Sequence, residues 1–423
     1  MLTSMSVPLL GLVDTFLLGH LPSARFLGAV AIGANFIGLL FWAFGFLRMG
    51  TTSLVAQAFG RQQAPTNQGS VEVDAPVFRA GLLALLGGTG IILVTPLAVP
   101  AIVSLMQASA EVAPFADQYI RIRLYAAPAA LTTYVITGWL IGTQQANKAL
   151  LLVVIANSIN IVLSVVFILK LGMNSAGAAW ATMIAEYCAC GVGLWMLARH
   201  SRVLQRRYWR RWLDYAAARE LLATNGHLMV RTLLLLFAMN FFTAQGAAMG
   251  DTVLAANAIL LQLAMLSAYV MDGFSFAAEA LCGEATGASN RSQFTHTTRL
   301  CARWMLATAA IFSVAYLLFG NTIVAQFTDL PEVRQTSERY LLWLVLMPWA
   351  GFMAYLFDGV FIGAGATAVM HGVMWIAVVV VFLPSWYLAL GLGNTGLWLA
   401  FVLFNAARSL LMLYYYPRIG PDR

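Results

Sequence analysis

Seven ionisable residues interrupt long apolar runs of this sequence and are the first candidates for chemistry. They are Asp14, Arg48, Glu186, Arg231, Asp272, Glu279 and Asp358. A charge in hydrocarbon costs free energy, so an ionisable group retained there is a functional candidate by default. Asp14 lies in LLGLVDTFLLG, and an apolar environment disfavours the charged form of a carboxyl. We expect Asp14 to exchange a proton near the working pH; the alternative is a structural aspartate hydrogen-bonded within a helical bundle.

Short polar side chains recur at helical spacing in two later apolar segments. Asn157, Asn160 and Ser164 are three and then four residues apart, which places them on one face of a helix. Thr182 and Glu186 lie one turn apart on the next predicted helix. If both faces meet the aspartate of the first segment, they form a polar pocket for a proton or a cation. The alternative is ordinary hydrogen bonding between helices, which Asn, Ser and Thr provide in any membrane bundle.

The composition indicates that these segments lie in a membrane. Of the 423 residues, 61% are hydrophobic and 10% are charged, and the mean hydropathy is +0.80. A soluble domain carries about 25% charged residues. The apolar runs reach about twenty residues or more, enough for a helix to span a bilayer, and they lack the alternation of β-barrel strands. The chain is therefore predicted to be an all-α membrane protein.

About twelve transmembrane helices are predicted, separated mostly by short turns. Their approximate limits are 1–20, 27–58, 77–105, 117–143, 148–170, 176–198, 221–248, 252–281, 299–326, 338–363, 369–390 and 394–415. They form two lobes of six helices, an N-lobe over 1–198 and a C-lobe over 221–423, joined by a basic loop over 199–220.

The joining loop sets the predicted orientation. Six arginines fall between residues 199 and 211, together with Trp209. Short loops rich in Arg and Lys stay on the cytoplasmic side, so an alternating count places both termini in the cytoplasm. We expect the loop to contact anionic membrane lipids rather than nucleic acid.

The two predicted lobes resemble each other in sequence. Three pairs of segments match in the same order: 27–60 with 254–287, GWLIG from Gly138 with GVFIG from Gly359, and NSAGAAWA from Asn174 with NTGLWLA from Asn394. With an even number of spans in each lobe, the repeats are parallel about an axis along the membrane normal. A cavity between two such lobes opens to either side when one rocks against the other, which is typical of secondary transporters.

The repeat adds a candidate gate. Asp272, Ser275 and Glu279 share one face of the eighth predicted span, and the alignment places Arg48 at the depth of Ser275. We expect Arg48 to pair with Asp272 or Glu279 and to close the cytoplasmic side when the cavity opens outward. The alternative is a pair within its own lobe. Asp358 is expected to be a second titrating site or a local hydrogen-bond partner.

At these segments the sequence resembles the multidrug and toxic compound extrusion (MATE) transporters, specifically the DinF branch. The matching segments follow the family's order over nearly the whole chain: PLLGLVDTFLLGHL, FLRMGTTSLVAQAFG, GWLIGTQQA, NSINIVLS, GAAWATMIAEY, YVMDGFSFAAEA and LFDGVFIGA. The resemblance implies twelve helices in two lobes and export driven by entry of protons or sodium ions. It implies that Asp14 is the coupling carboxylate and that Asn160 and Thr182 belong to the same cation site. Asp358 falls on a coupling acid of the NorM branch.

Two departures from the family pattern refine these expectations. The fifth-helix position that is often Asp in the family is Ser164, and a sodium site needs several hard oxygen ligands, so the expected coupling ion is a proton. The first span is short, because Met1 precedes Asp14 by too few residues for a normal span. We expect the true start to lie further upstream; the alternative is an impaired protein.

The predicted function is a proton-coupled antiporter that exports small amphipathic xenobiotics or toxic metabolites, acting as a monomer. One alternative is a lipid-linked oligosaccharide flippase of the same superfamily, which needs a strongly cationic cavity; only Arg48 and Arg231 are identified in the spans. An intramembrane enzyme is disfavoured because His227 and His371 lack obvious partners. No residues have metal-ligand spacing and no nucleotide-binding motif occurs, so neither a metal nor a cofactor is expected.

Overall fold

The computed structural model describes residues 17–18, 23–63, 73–106 and 109–421. Within them the chain is almost wholly helical, and ten helices are long and apolar enough to cross a membrane, or eleven if one pair bent by 46° is a single span. These helices correspond to the second to twelfth predicted spans, which confirms the all-α membrane class. Most of the first predicted span, including Asp14, lies outside the described residues.

The described residues divide into two compact units. The first unit holds residues 17–55 and 73–225, and the second holds residues 56–63 and 226–421, as far as each range is described. The predicted N-lobe (1–198), joining loop (199–220) and C-lobe (221–423) describe the parts that move during transport. These limits stay a prediction.

The helices of the first unit are numbered in chain order. They are α1 (Ala24–Ala43), α2 (Phe46–Gln63), α3 (Asp74–Leu105), α4 (Ala113–Leu124), α5 (Ala127–Gly142), α6 (Ala146–Ser164), α7 (Asn174–His200) and the short α8 (Arg206–Trp212). The last part of α2, from Ala56, belongs to the second unit. A π-helical segment, Val165–Lys170, continues α6.

Small residues bring three of these helices together. α7 packs against both α6 and α4, and residues 176–179 of α7 are Ala, Gly, Ala and Ala. Small side chains let membrane helices approach closely, so polar groups on neighbouring helices reach one another. Pro128 starts α5 directly after the bend that separates it from α4, because the first turn of a helix needs no proline N–H.

The helices of the second unit continue the numbering. They are α9 (Tyr215–Ala248, which begins in the first unit), α10 (Asp251–Gly287), α11 (Arg291–Ala325), α12 (Pro331–Gly363), α13 (Thr367–Trp375), α14 (Leu383–Leu388) and α15 (Asn394–Tyr415). A π-helical segment, Ile376–Phe382, joins α13 and α14 into one span.

The core of the second unit is aromatic. Trp398, Phe401 and Phe404 of α15 pack against Phe242 of α9 and against Phe382. Aromatic side chains bury large areas and hold a fixed geometry against each other. This packing fixes the position of α15, which also carries a buried arginine of the second unit.

Two glycines fit α5 closely against α2 in the first unit. A Cβ atom on Gly138 would lie 2.7 Å from the carbonyl oxygen of Arg48, and one on Gly142 would lie 3.0 Å from that of Thr52. Real Cβ atoms essentially never come as close as the first distance, so the contact at Gly138 requires glycine, and the contact at Gly142 leaves little room for a larger residue.

The second unit repeats this contact at the positions that the sequence repeat predicts. Gly359 of α12 lies against the carbonyl of Ser275 on α10, and a Cβ on Gly363 would lie 2.5 Å from the carbonyl oxygen of Glu279. The GWLIG and GVFIG segments therefore pack equivalent glycines against equivalent carbonyl groups. The internal repeat in the sequence is a repeat in the structure.

The ends of α2 and α10 cross within the second unit. Gly60 of α2 lies against the carbonyl of Glu284, and Gly287 of α10 lies against the carbonyl of Gln57. In the repeat alignment Gln57 falls on Glu284 and Gly60 falls on Gly287. The contact is therefore reciprocal, and this crossing of α2 and α10 has a local twofold axis.

Candidate coupling site and buried charge clusters

α6 and α7 meet along the polar face that the residue spacing predicts. Asn160 on α6 is buried, and its Nδ2 donates a 2.8 Å hydrogen bond to Oγ1 of Thr182 on α7. Thr182 Oγ1 donates in turn to the carbonyl of Ala178 at 2.9 Å. Ser164, one turn beyond Asn160, is also buried. The structure thus brings Asn160 and Thr182 into contact and removes three of the predicted polar residues from solvent.

One acceptor of this polar face is left open. Oδ1 of Asn160 is buried and has no hydrogen-bond partner among the described residues. A buried polar atom without a partner costs roughly 1–3 kcal/mol, so its retention calls for a donor or a cation from another group. Asn157 is half-buried and engaged by a neighbour. Asp14, the expected donor, lies outside the described residues, so its part in this site stays a prediction.

Glu186 forms an ion pair that the spacing alone does not reveal. Both terminal nitrogens of Arg123 on α4 donate to its carboxylate, at 2.9 and 3.1 Å. The Arg123 side chain is buried, and its Cζ lies 5.8 Å from the centre of the Phe41 ring. A bidentate pair with these distances is a strong, directional interaction that ties α4 to α7. Glu186 as a coupling residue stays a prediction.

A second buried charge cluster lies in the second unit. Oδ2 of Asp358 on α12 accepts hydrogen bonds from Nη2 of Arg231 on α9 and from Nη2 of Arg408 on α15, the latter at 2.9 Å. Arg408 also donates to Oδ1 of Asn405 at 3.3 Å. Asp358 is thus a carboxylate held between two arginines of neighbouring helices.

The prediction that Arg48 and Arg231 are the only arginines within the spans is wrong, because Arg408 also lies in one. Its side chain is 1% exposed, in the middle of the last long helix, and Arg123 is a further buried arginine. The sequence signal for Arg408 is the run FNAARSLLML, because an arginine inside an apolar helix usually pairs with an acid or with backbone carbonyls.

The remaining predicted gate residues lie in different units. Asp272 and Glu279 are on α10 of the second unit, where Glu279 is buried and Asp272 half-buried. Arg48 is on α2 in the first unit and is half-buried. The gate between Arg48 and these acids stays a prediction.

His227 and His371 contact each other, contrary to the expectation that they lack partners. Their rings stack in the second unit with centres 5.6 Å apart and planes 24° apart. Nδ1 of His227 also lies 3.4 Å from Oγ1 of Thr367. Within the described residues no group of three or more His, Cys, Asp or Glu side chains could hold a metal ion.

An apolar cavity of about 350 Å³, open at the surface of the fold, lies in the first unit. Phe36 and Leu40 of α1, Ile91 and Val94 of α3, and Leu124 of α4 form much of its wall. Leu124 directly follows the arginine that pairs with Glu186. A cavity of this size and lining suits the apolar part of a small molecule.

The MatE family model matches this chain in two segments, residues 1–166 and 228–388, which together cover more than half of it. The chain belongs to the MatE family. MATE proteins are multi-pass membrane transporters and not enzymes, so the alternative of an intramembrane enzyme is excluded. The two matched segments lie in the two halves that repeat each other.

Two relatives of this MATE transporter cover almost its whole length. DNA damage-inducible protein F of Escherichia coli (strain K12) is 38% identical over 414 residues, which are 96% of this chain and 88% of the relative. Protein DETOXIFICATION 44, chloroplastic, of Arabidopsis thaliana is 25% identical over 412 residues, which are 95% of this chain and 77% of the relative. The resemblance to MATE transporters of the DinF branch is confirmed.

Solved MATE structures share the fold of this transporter. A MOP superfamily transporter from Pyrococcus furiosus, described as having a binding pocket of reverse polarity, matches with a TM-score of 0.86 and 23% identity, covering 99% of this chain and 93% of that one. A multidrug resistance MATE transporter in an outward-facing conformation matches with a TM-score of 0.83 and 24% identity, with the same coverage of both chains. These similarities confirm the predicted MATE-like architecture.

Proposed function

We propose that this MATE transporter is a monomeric antiporter that exports small amphipathic molecules across a bacterial inner membrane in exchange for protons. The observation that carries the proposal is the open acceptor of Asn160, held in place by the hydrogen bond between Asn160 and Thr182. A protonated Asp14 carboxyl donates to this oxygen, and an ionised one does not. Protonation therefore biases the packing of the first helix and shifts the balance between two states of the transporter.

The composition of the polar face supports a proton over a sodium ion. Asn160 offers one open oxygen, Thr182 is already engaged as donor and acceptor, and Ser164 brings no charge. A hard cation prefers several oxygen ligands, with carboxylates among them. One carboxylate that gains and loses a proton needs only one acceptor beside it.

The cavity of the first unit supports an amphipathic substrate. Its wall is apolar, and its volume of about 350 Å³ accommodates a ring system or a short chain of a small molecule. Such a lining binds by burial of apolar surface, which is tolerant of shape and suits a transporter of diverse compounds.

The deciding experiment is transport by purified protein in liposomes under an imposed pH gradient. With the natural protein, we expect a fluorescent amphipathic cation to move in the direction opposite to the flow of protons down their gradient. Asp14→Asn should abolish this movement, because an amide cannot release a proton. Asp251→Asn, which removes an exposed carboxylate at the start of α10, is the matched control and should transport normally.

Two results would contradict the proposal. Unchanged transport by Asp14→Asn at matched reconstitution removes the role of this carboxylate. Transport that follows an imposed sodium gradient, and not the pH gradient, assigns the coupling to sodium.

The second candidate function is the lipid-linked oligosaccharide flippase. The observation that favours it is the pair of buried arginines, Arg231 and Arg408, around a single directly paired carboxylate, Asp358. Extra positive charge suits an anionic diphosphate substrate. Movement of a labelled lipid diphosphate in the same liposomes, without drug transport, would favour this function.

A further inference from the structure

The basic segment between α7 and α9 packs against the N-terminal end of α3. The backbone N–H of Arg202 donates to Oδ2 of Asp74 at 2.8 Å, and Nε1 of Trp209 donates to the carbonyl of Val203 at 2.9 Å. The Trp209 ring lies 5.5 Å from the ring of Phe78 on α3. These contacts hold the segment against the start of α3.

Two of these arginines converge on one tyrosine. Nη2 of Arg207 donates to the hydroxyl of Tyr208 at 2.7 Å, and Nη1 of Arg202 lies 3.5 Å from the same oxygen. Both guanidinium groups also lie against the Tyr208 ring, 4.6 and 5.8 Å from its centre, and this ring stacks on Trp212. Within the described residues neither guanidinium is paired with a carboxylate. Like charges held together repel each other, so the arrangement favours an anion between them.

Exposed apolar side chains adjoin this basic cluster in the sequence. Leu204 is 50% exposed, Leu213 61% and Tyr215 83%. The segment is continuous with two membrane spans, since α7 ends at His200 and α9 begins at Tyr215. Basic residues together with exposed apolar residues at the end of membrane helices are typical of a segment that lies in the headgroup layer.

We propose that Arg202, Arg207 and Tyr208 bind the phosphate group of an anionic phospholipid in the adjoining leaflet. The two guanidinium groups offer several N–H donors in a fixed fork, which matches phosphate oxygens better than a single point charge does. Leu204, Leu213 and Tyr215 contact the acyl chains next to that headgroup. This site is independent of the proposed coupling reaction.

The test is lipid binding by the purified full-length protein, measured by native mass spectrometry with phosphatidylglycerol and phosphatidylcholine. We expect the natural protein to prefer phosphatidylglycerol. The double variant R202Q/R207Q should lose roughly tenfold or more of this affinity and leave phosphatidylcholine binding unchanged. The double variant R210Q/R219Q removes the same charge from exposed positions of the same region and should lose little. Tyr208→Phe keeps both arginines and the ring stack, and its smaller loss measures the contribution of the hydroxyl.

Several results would overturn the proposal. Equal losses for the two double variants would show attraction by total charge and no defined site. Displacement of phosphatidylglycerol by millimolar inorganic phosphate would assign the site to a soluble phosphate. Equal binding of the two lipids by the natural protein would remove the site altogether.

Discussion

Asp358 shows how one side chain stabilises the interior of the second unit. It accepts from two arginines that come from helices far apart in sequence, and all three side chains are nearly or fully buried. Removing one partner from a buried ion pair leaves an uncompensated charge, which is more costly than replacing the whole set by apolar residues. The packing of α9, α12 and α15 against one another therefore depends on the carboxylate of Asp358.

The first expected result follows from this dependence. Asp358→Asn should lower the free energy of unfolding by roughly 3–5 kcal/mol, because two buried guanidinium groups lose their anion. Tryptophan fluorescence during heating in detergent measures the change as a fall of the midpoint. Asp251→Asn, at an exposed position, should stay within about 0.5 kcal/mol. Equal midpoints for the two variants would contradict a stabilising role for Asp358.

The polar face of α6 could be predicted from sequence, whereas the ion pairs could not. Asn160 and Thr182 follow from helical spacing, because neighbours on a face are three or four residues apart. Arg231 and Arg408, which both donate to Asp358, are 177 positions apart, and no local pattern connects them. Only the packing of α15 against α9 and α12 brings them to the same carboxylate. The stacked histidines, separated by 144 positions, were missed for the same reason.

At the scale of helices, glycines decide which helices approach each other. Gly138 and Gly142 fit α5 against α2, and Gly359 and Gly363 fit α12 against α10. Without an apolar driving force between helices in lipid, close packing and backbone contact supply much of their association. Substitutions at these glycines should therefore affect assembly of the helical bundle more than they affect proton coupling.

The second expected result concerns the crossing of α2 and α10. Gly60→Leu should lower stability by at least about 1–3 kcal/mol, because its side chain would overlap the backbone of Glu284. Gel filtration and the thermal midpoint of the purified protein report the effect. Gly38→Leu is the matched control, because no atom lies within 4 Å of a Cβ at that position of α1. A normal midpoint for Gly60→Leu would show that the crossing is not tight in the membrane.

Most helices were predictable, but their irregular parts were not. The predicted span 148–170 corresponds to α6 plus a π-helical segment, and 369–390 corresponds to α13, a π-helical segment and α14. Hydropathy reports only the length of an apolar run. It does not reveal where the backbone hydrogen bonds shift by one residue to form a π-helix. The bend between α4 and α5 is signalled by Pro128, yet the hydropathy is continuous across it.

At the scale of the whole molecule, the distribution of charge predicts the orientation of the protein in the membrane. The arginines of the segment 199–211 contrast with the acidic residue at the start of α10, Asp251. Because basic loops stay in the cytoplasm, we expect Gln205 and Asp251 to lie on opposite sides of the membrane.

Labelling of single cysteines measures this expected result. The four natural cysteines, which are free thiols, are first replaced by serine. In intact cells a membrane-impermeant maleimide should label Asp251→Cys, and it should label Gln205→Cys, at an exposed polar position, only after the cells are opened. Labelling of Gln205→Cys in intact cells would reverse the orientation and move both termini outside.

The local twofold axis at the crossing of α2 and α10 bears on the ancestry of the protein. Each helix presents the same small-residue surface to the other, as two identical subunits do in an isologous interface. The contact between Ala56 and Gly283, which are equivalent positions of the repeat, lies between the two glycine contacts. A polypeptide carrying one half could make this contact with a second copy of itself. The crossing thus has the symmetry of a homodimer contact within one chain, and it requires Gly60 and Gly287 both to remain small.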